Sequence, residues 1–401
     1  MSGKSIRHTT LAFLAAFACM GGGCKPSAQS TSTSGKTSSL EKKWELSLGG
    51  RVEGSLALSD DGNIIAAGQD GFVYAVDSSG KLQWKTYIGQ TLASPAIGPD
   101  GAIYIPNNDG SVFALNRSGS KRWVSVVYPG GTYGHNAGAV GDGFLYTPSR
   151  DGVKALSFSD GRVEWSAGGG SEQWGGVTLL MDGTILFGAR GRLVAVNTHG
   201  DTLWQYPSLT SEATARNGGF LPPGNFMTSS GITPGPDRQL LVGEGRDHLS
   251  AIGQDATLRW DFKSRGNNLN TASPVISTDG TIYFAHSDHH LYAFDSFGSK
   301  KWDVDLHDYD PSTPVLAADG TIFVAGGRDL YAVSPSGKVI AKVNVGGSVV
   351  SSPTLAPDGT IFLVIDTGVL SAYAGGHGGL MDSPWPKFQA DLANTGRARM
   401  Y

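Results

Sequence analysis

Short apolar runs alternate with two-residue polar breaks along most of this chain. The stretch from Ser94 to Trp123, SPAIGPDGAIYIPNNDGSVFALNRSGSKRW, shows the unit most clearly. Ser94–Gly98 is apolar and stops at Pro-Asp-Gly. Ala102–Pro106 is a second run, closed by Asn108-Asp109-Gly110. Ser111–Asn116 is a third, closed by Ser118-Gly119, and Lys121 to Val127 begins a fourth. Asp-Gly and Asn-Gly breaks supply the positive-φ residues that tight hairpins need, so the stretch predicts a four-stranded antiparallel meander. One such sheet cannot bury both faces and needs neighbours.

The unit recurs. Its small residue appears as Ala75, Ala114, Ala155, Ala195, Ala251, Ala293, Ala332 and Ala372, at steps of 39, 41, 40, 56, 42, 39 and 40 residues. The first turn recurs as Asp-Gly at 61, 100, 142, 182, 279, 319 and 358, with Asp237-Arg238 in the remaining copy. Nine residues after most of these alanines, ten after Ala155, stands a tryptophan: Trp84, Trp123, Trp165, Trp204, Trp260 and Trp302. The seventh copy has Ala341 there. A period near 40 with four strands per unit predicts an all-β fold, an eight-bladed β-propeller of four-stranded antiparallel blades. The eighth copy ends at Ala372 and runs into Gly375-Gly376-His377-Gly378-Gly379 without a fourth strand. Lys43-Trp44-Glu45-Leu46-Ser47-Leu48, ahead of the first copy, supplies one with its tryptophan. Pairing this strand with the last blade closes the ring and removes an exposed edge. Each indole then reads as an apolar plate between adjacent blades, with the small alanines leaving room for it.

The regions outside the repeat change the picture. Met1 to His8 carries Lys4 and Arg7 and no acid, and Thr9 to Met20 is an apolar run of signal-peptide length, so residues 1–23 read as a signal peptide. Gly21-Gly22-Gly23-Cys24 resembles a bacterial lipobox, although Gly21 stands where that pattern places leucine. Cleavage after Ala18 by ordinary signal peptidase is the competing reading, and it would leave the protein secreted. Residues 24–41 then form a lipidated Cys24 and a Ser/Thr-rich tether. Residues 42–374 are the propeller, a single domain, and 375–401 are a Gly-rich linker with a C-terminal WPKFQADLANTGR segment. Trp385 and Phe388 are expected to pack back onto the ring near the joint of blades 8 and 1.

Cys19 and Cys24 are the only cysteines, which excludes cysteine-based metal sites and redox pairs in the ring. The formal charge is −4, and loss of Lys4 and Arg7 with the leader makes it −6. With no basic stripe, nucleic acid is not an expected partner. Glycine accounts for 58 of 401 residues, which the turn-dense repeat explains without disorder.

Candidate binding residues lie in loops. Inter-blade loops and second-to-third-strand turns share one face of a propeller, where a rigid scaffold presents side chains. Here the inter-blade loops are uneven: YPGGTYGHN at 128–136, with Tyr133 and His135; GGGSEQWGG at 168–176, with Trp174 off the docking pattern; and the long loop at 205–232. Arg150, Arg190, Arg246 and Arg328 occupy equivalent turn positions in blades 3, 4, 5 and 7. They are either guanidinium forks for an acidic partner or local pairs of Asp151, Asp247 and Asp329. His286-Ser287-Asp288-His289-His290 could ligate zinc, but strand alternation splits the imidazoles between faces, and a polar turn is the preferred reading. No metal site is expected.

The units AVDSSGKLQW at 75–84 and ALSFSDGRVEW at 155–165, the Ser-Pro pairs at 94, 273 and 352, and WPKFQADLANTG at 385–396 resemble the tryptophan-docking repeat of the PQQ-like, or quinoprotein-type, propellers. Two branches follow from that resemblance. The dehydrogenases carry pyrroloquinoline quinone with Ca²⁺, and many have paired cysteines at the cofactor. This ring has no cysteine, and Glu172 and Glu244 match no enzyme motif. The BamB-like lipoproteins share this chain's layout of leader, acylated cysteine, tether and bare eight-bladed ring. The resemblance therefore implies no cofactor, no catalytic residues and a monomeric scaffold. It would be periplasmic or attached to the outer membrane, held by its lipid anchor alone, and would bind envelope or outer-membrane proteins through the funnel face. A PQQ-dependent dehydrogenase is the enzyme alternative. A carbohydrate- or cell-wall-binding propeller using Trp174, Tyr133 and the Asn-rich 266–270 stretch is the third.

Overall fold

The breaks in the apolar pattern fall at the hairpin turns. The structure, a computed structural model, describes residues 40–129, 138–149, 152–168, 176–189, 192–206, 231–244, 248–265, 272–307 and 312–398. These belong to one compact unit, Thr37–Tyr401. Thirty-two strands form eight four-stranded sheets among the described residues, each sheet antiparallel throughout. In blade 2 the strands are Ala96–Ile97, Ile103–Pro106, Ser111–Leu115 and Lys121–Val126. The second and third are almost wholly buried and read as continuous apolar runs, whereas the fourth alternates along the outer rim. The eighth sheet is completed by the first strand of the chain: Lys42–Ser47 pairs with Val369–Ala374, placing Trp44 opposite Ala372. The expected closure and fold class are both present.

Among the described residues, six blades sit against the next through a tryptophan. The indole Nε1 groups of Trp44, Trp84, Trp123, Trp165 and Trp302 donate to backbone carbonyls of Ser78, Arg117, Phe158, Thr198 and Pro335, all in the following blade's third-to-fourth turn. Trp260 donates to Ser296 in the same way, and also to Gln239 Oε1. The room for the indole comes from the glycine of that turn. A Cβ on Gly80, Gly119, Gly161, Gly200, Gly298 or Gly337 would stand 2.5–2.8 Å from the neighbouring indole. The alanine of the repeat is the tryptophan's cross-strand partner within its own blade, as Ala75 is to Trp84.

This arrangement explains Ala341. Blade 8 takes its fourth strand from the other end of the chain, so it has no third-to-fourth turn to receive an indole from blade 7. Leu40, just ahead of the closing strand, is buried in the cluster at that junction with Phe323, Ala332 and Tyr373, and Ala341 packs against it.

Hydroxyls at the starts of the inner strands link the blades near the axis. Ser55 N–H donates to Ser94 Oγ at 2.8 Å, Gly231 N–H to Ser273 Oγ at 3.0 Å and Ser273 N–H to Thr313 Oγ1 at 2.8 Å. Ser94, Ser273 and Thr313 each precede a proline. The Ser-Pro pairs at 94 and 273 and the Thr-Pro pair at 313 thus carry blade-to-blade hydrogen-bond acceptors.

Candidate functional site

The two ends of the central channel differ. One is crossed by the chain's own C-terminal segment, which follows the ends of the inner strands where they enter their first turns. Leu58 N–H in blade 1 donates to Leu392 O, Ile97 in blade 2 to Ala393 O, Val140 in blade 3 to Thr395 O and Leu179 in blade 4 to Gly396 O. Ile276 in blade 6 donates to Trp385 O and Leu316 in blade 7 to Pro386 O. In blade 5 the equivalent residue is Pro234, which has no N–H to give.

The strap carries its own polar core. Lys387 is fully buried, and its ammonium donates to Phe388 O at 3.0 Å, Asp391 O at 3.1 Å and Asn394 Oδ1. Asn394 Nδ2 reaches Pro95 O at 3.0 Å and the carbonyls of Ser55 and Leu56 at 3.3 Å, tying the strap to blades 1 and 2. A buried ammonium is tolerable only when its donors are paired, and here the strap itself provides the acceptors. The expected docking near blades 8 and 1 needs correction. Trp385 is 1% exposed within the cluster shared by blades 4, 5 and 6. Leu392 alone packs against the cluster between blades 8 and 1. Sequence reading missed this path because the segment has no periodicity of its own and takes its course from six inner strands.

The opposite face carries the inter-blade loops. Of the four arginines placed there by repetition, Arg328 is described. It is exposed at the turn between Ile322–Gly326 and Asp329–Val333, and its Nη2 reaches Gly346 O at 3.4 Å. It does not pair with Asp329, which is held by Lys342 Nζ at 2.6 Å and Asn344 Nδ2 at 3.1 Å. Arg150, Arg190, Arg246, Tyr133, His135, Trp174, Glu172 and Cys24 lie outside the described residues, as do 207–230 and 266–271.

The histidine turn of blade 6 is described in full. His286 is 1% exposed. Its Nδ1 accepts the Asp288 N–H at 3.1 Å, and its Nε2 lies 3.2 Å from Ser264 Oγ. Tyr292 Oη donates to Asp288 Oδ2 at 2.6 Å, and the Arg265 N–H donates to the same oxygen at 3.1 Å. Burial alone would raise the Asp288 pKa, but the adjoining His286 ring and the Tyr292 hydroxyl outweigh it and hold the carboxyl well below the usual range. His290 turns its Nδ1 to Asp288 O at 2.9 Å. The imidazoles and the carboxylate therefore brace the turn. Among the described residues no group of three or more His, Cys, Asp or Glu is placed to hold a metal ion.

Other carboxylates on this face are engaged within the ring. Asp70 accepts from Tyr74, whose hydroxyl pKa is pushed up to about 12 by burial and by that carboxylate. Glu53 accepts from Arg51 at 2.9 Å and from Gln69 at 2.8 Å. The described part of the face is a set of braced turns at the end of the channel opposite the strap.

Comparison with known proteins agrees with this geometry. The crystal structure of BamB from Moraxella catarrhalis superposes with a TM-score of 0.67 at 18% identity, covering 85% of this chain and 99% of that one. The computationally designed Ika8 protein gives a TM-score of 0.64 at 12% identity, covering 82% and 98%. At these identities the likeness is one of fold. No curated protein matches the sequence. A family model described as "Outer membrane protein assembly factor BamB" matches residues 37–168 and 189–317, well over half of the chain. The eight-bladed ring with its docked tryptophans is thus a member of the PQQ-like, BamB-type propeller family.

Proposed function

We propose that this protein is a lipid-anchored, non-catalytic scaffold of a bacterial cell envelope, and that it takes part in outer-membrane protein assembly by binding partner proteins through its inter-blade loop face. The family match over 37–168 and 189–317 carries this reading. The leader, Cys24 and the Ser/Thr-rich tether support an anchored, exported protein held at the membrane by acyl chains alone. The strap supports the choice of face: it crosses the opposite end of the channel with residues of the chain itself, so the channel mouth on the loop face is the one that supports partner loops. The engagement of Asp70, Glu53 and Asp288 in structural pairs supports a role without turnover or cofactor.

The test is in-cell crosslinking of the full-length protein, followed by affinity capture and mass spectrometry. Outer-membrane barrels or their assembly proteins should be enriched, and the enrichment should fall when Arg150, Arg190, Arg246 and Arg328 are changed to alanine together. Metabolic labelling with an acyl chain should mark the wild type and not Cys24→Ser. Quinone absorbance and dye reduction after incubation with pyrroloquinoline quinone and Ca²⁺ would overturn the scaffold reading.

A further inference from the structure

Blade 5 differs from the other seven in its first turn, where Asp237-Arg238 replaces Asp-Gly. Blade 3 shows what glycine does in the same kind of turn. Asp142 and Gly143 both have positive φ, 55° and 88°, and a Cβ on Gly143 would meet nothing within 4 Å. In blade 5 both positions again have positive φ, 55° at Asp237 and 56° at Arg238, and the Gln239 N–H returns to Pro236 O. An arginine in the left-handed region carries a conformational cost that glycine avoids. Nothing within the described ring repays it, since the Arg238 side chain is exposed and has no hydrogen-bond or ion-pair partner among the described residues. A strained residue whose side chain makes no hydrogen bond or ion pair within the described ring points to a role outside the fold.

The arginine borders a cleft of about 110 Å³ between blades 4 and 5. Leu180, Met181, Asp182, Gln254 and Ala398 also line it, and Met181 is 56% exposed. Pro234 lines it too, so the cleft lies where the strap's ladder of carbonyls skips a blade. The lining combines a free guanidinium fork, an amide and an apolar wall. A guanidinium receives a carboxylate through two parallel hydrogen bonds. Asp182, held by the Thr184 N–H at 2.9 Å, and Asp237 add negative charge that disfavours a free dianion. We propose that this cleft binds the C-terminal carboxylate of a polypeptide partner whose last side chain is apolar. In such a residue the charge and the hydrocarbon share one Cα, so a cleft this small can take the carboxylate on Arg238 and the side chain on Leu180 and Met181.

The experiment measures binding of fluorescent tetrapeptides ending in Leu, Phe, Val or Met to the full mature protein by anisotropy. At least one free-acid peptide should bind, and its C-terminal amide should bind about tenfold more weakly or worse. Arg238→Gly should cause a loss of similar size while raising the melting temperature, because glycine relieves the turn. Arg238→Lys should bind with intermediate affinity, keeping the charge without the fork. The proposal is overturned if no free-acid peptide binds, if the amide binds as well, if inorganic phosphate competes as effectively as the free acid, or if Arg238→Gly retains binding. A fall in melting temperature for Arg238→Gly would show that the arginine serves the fold, and would overturn it as well.

Discussion

The imidazole of His377 lies 5.6 Å from the ring of Phe323, centroid to centroid. In blades 2, 3, 6 and 8 the corresponding ring, Tyr104, Tyr146, Tyr283 or Phe362, instead meets the blade's own tryptophan at 5.7–5.8 Å. Blade 7 has no tryptophan, and the glycine-rich stretch leaving blade 8 brings a histidine to it. His377 Nδ1 sits 2.6 Å from Asp319 Oδ2 and 3.2 Å from Thr321 Oγ1. The stretch that looked like a bare linker is a docked part of the ring.

That contact gives a pH dependence. Burial alone would raise the Asp319 pKa, but the Thr321 N–H, His377 and the Thr321 hydroxyl more than offset it, so the folded-state value lies below the usual one. The ionised carboxylate therefore belongs to the native state. Its stabilisation is present above the unfolded value of about 4 and is lost as the pH falls through the folded value. Asp319→Asn should melt below the wild type at neutral pH, and the gap should narrow as the pH drops below about 4. A gap that stays constant across that range would remove Asp319 from the acid response.

Gly298 and Gly62 separate backbone strain from packing. Both have positive φ, 80° and 83°, but a Cβ on Gly298 would lie 2.5 Å from Trp260 Cδ2, whereas one on Gly62 would meet nothing within 4 Å. Gly62→Ala should cost about 1 kcal/mol, the left-handed penalty alone. Gly298→Ala must also displace an indole and should cost about 1–3 kcal/mol more, the range for overpacking. Denaturant melts of the two variants decide this, and equal losses would show that the indole yields freely.

Lys387→Met tests the strap. The substitution keeps most of the side-chain volume but leaves three oxygens without their shared donor. Leaving a buried acceptor without its donor costs about 1–3 kcal/mol. The variant should melt well below the wild type, as should a chain lacking 381–401. If both melt unchanged, the segment is a free recognition tail and not part of the ring.

Ala341→Trp should not stabilise blade 7, although it restores the repeat's consensus. The indole would find no third-to-fourth turn in blade 8 to accept its N–H, and it would compete with the buried Leu40. A melting temperature at or below the wild type's is expected; a clear rise would mean that the junction holds an unused docking site.

The blade count, strand order, closing strand and docked tryptophans were legible in the sequence because they rest on local chemistry. Asp-Gly turns specify hairpins, period-two patterning specifies burial, and a tryptophan nine or ten residues past an alanine marks a fixed cross-strand pair. The gap at Ala341 was equally visible. Its reason was not, because the missing partner is a turn that the chain break in blade 8 removes. The candidate sites were less legible. Repetition could place Arg328 on a rim but not show that Asp329 turns to Lys342 and Asn344, a choice made by the outer strand. Only the assembled ring reveals that Arg238 bears strain without a hydrogen bond or ion pair among the described residues. The path of the C-terminal strap likewise depended on tertiary structure. Its backbone bonds go to strands scattered from residue 58 to residue 316, and these come together only once the eight blades have closed. The sequence alone determined each blade and its order in the ring. The closed ring then decided where the strap runs, which end of the channel it covers and which side chains remain free.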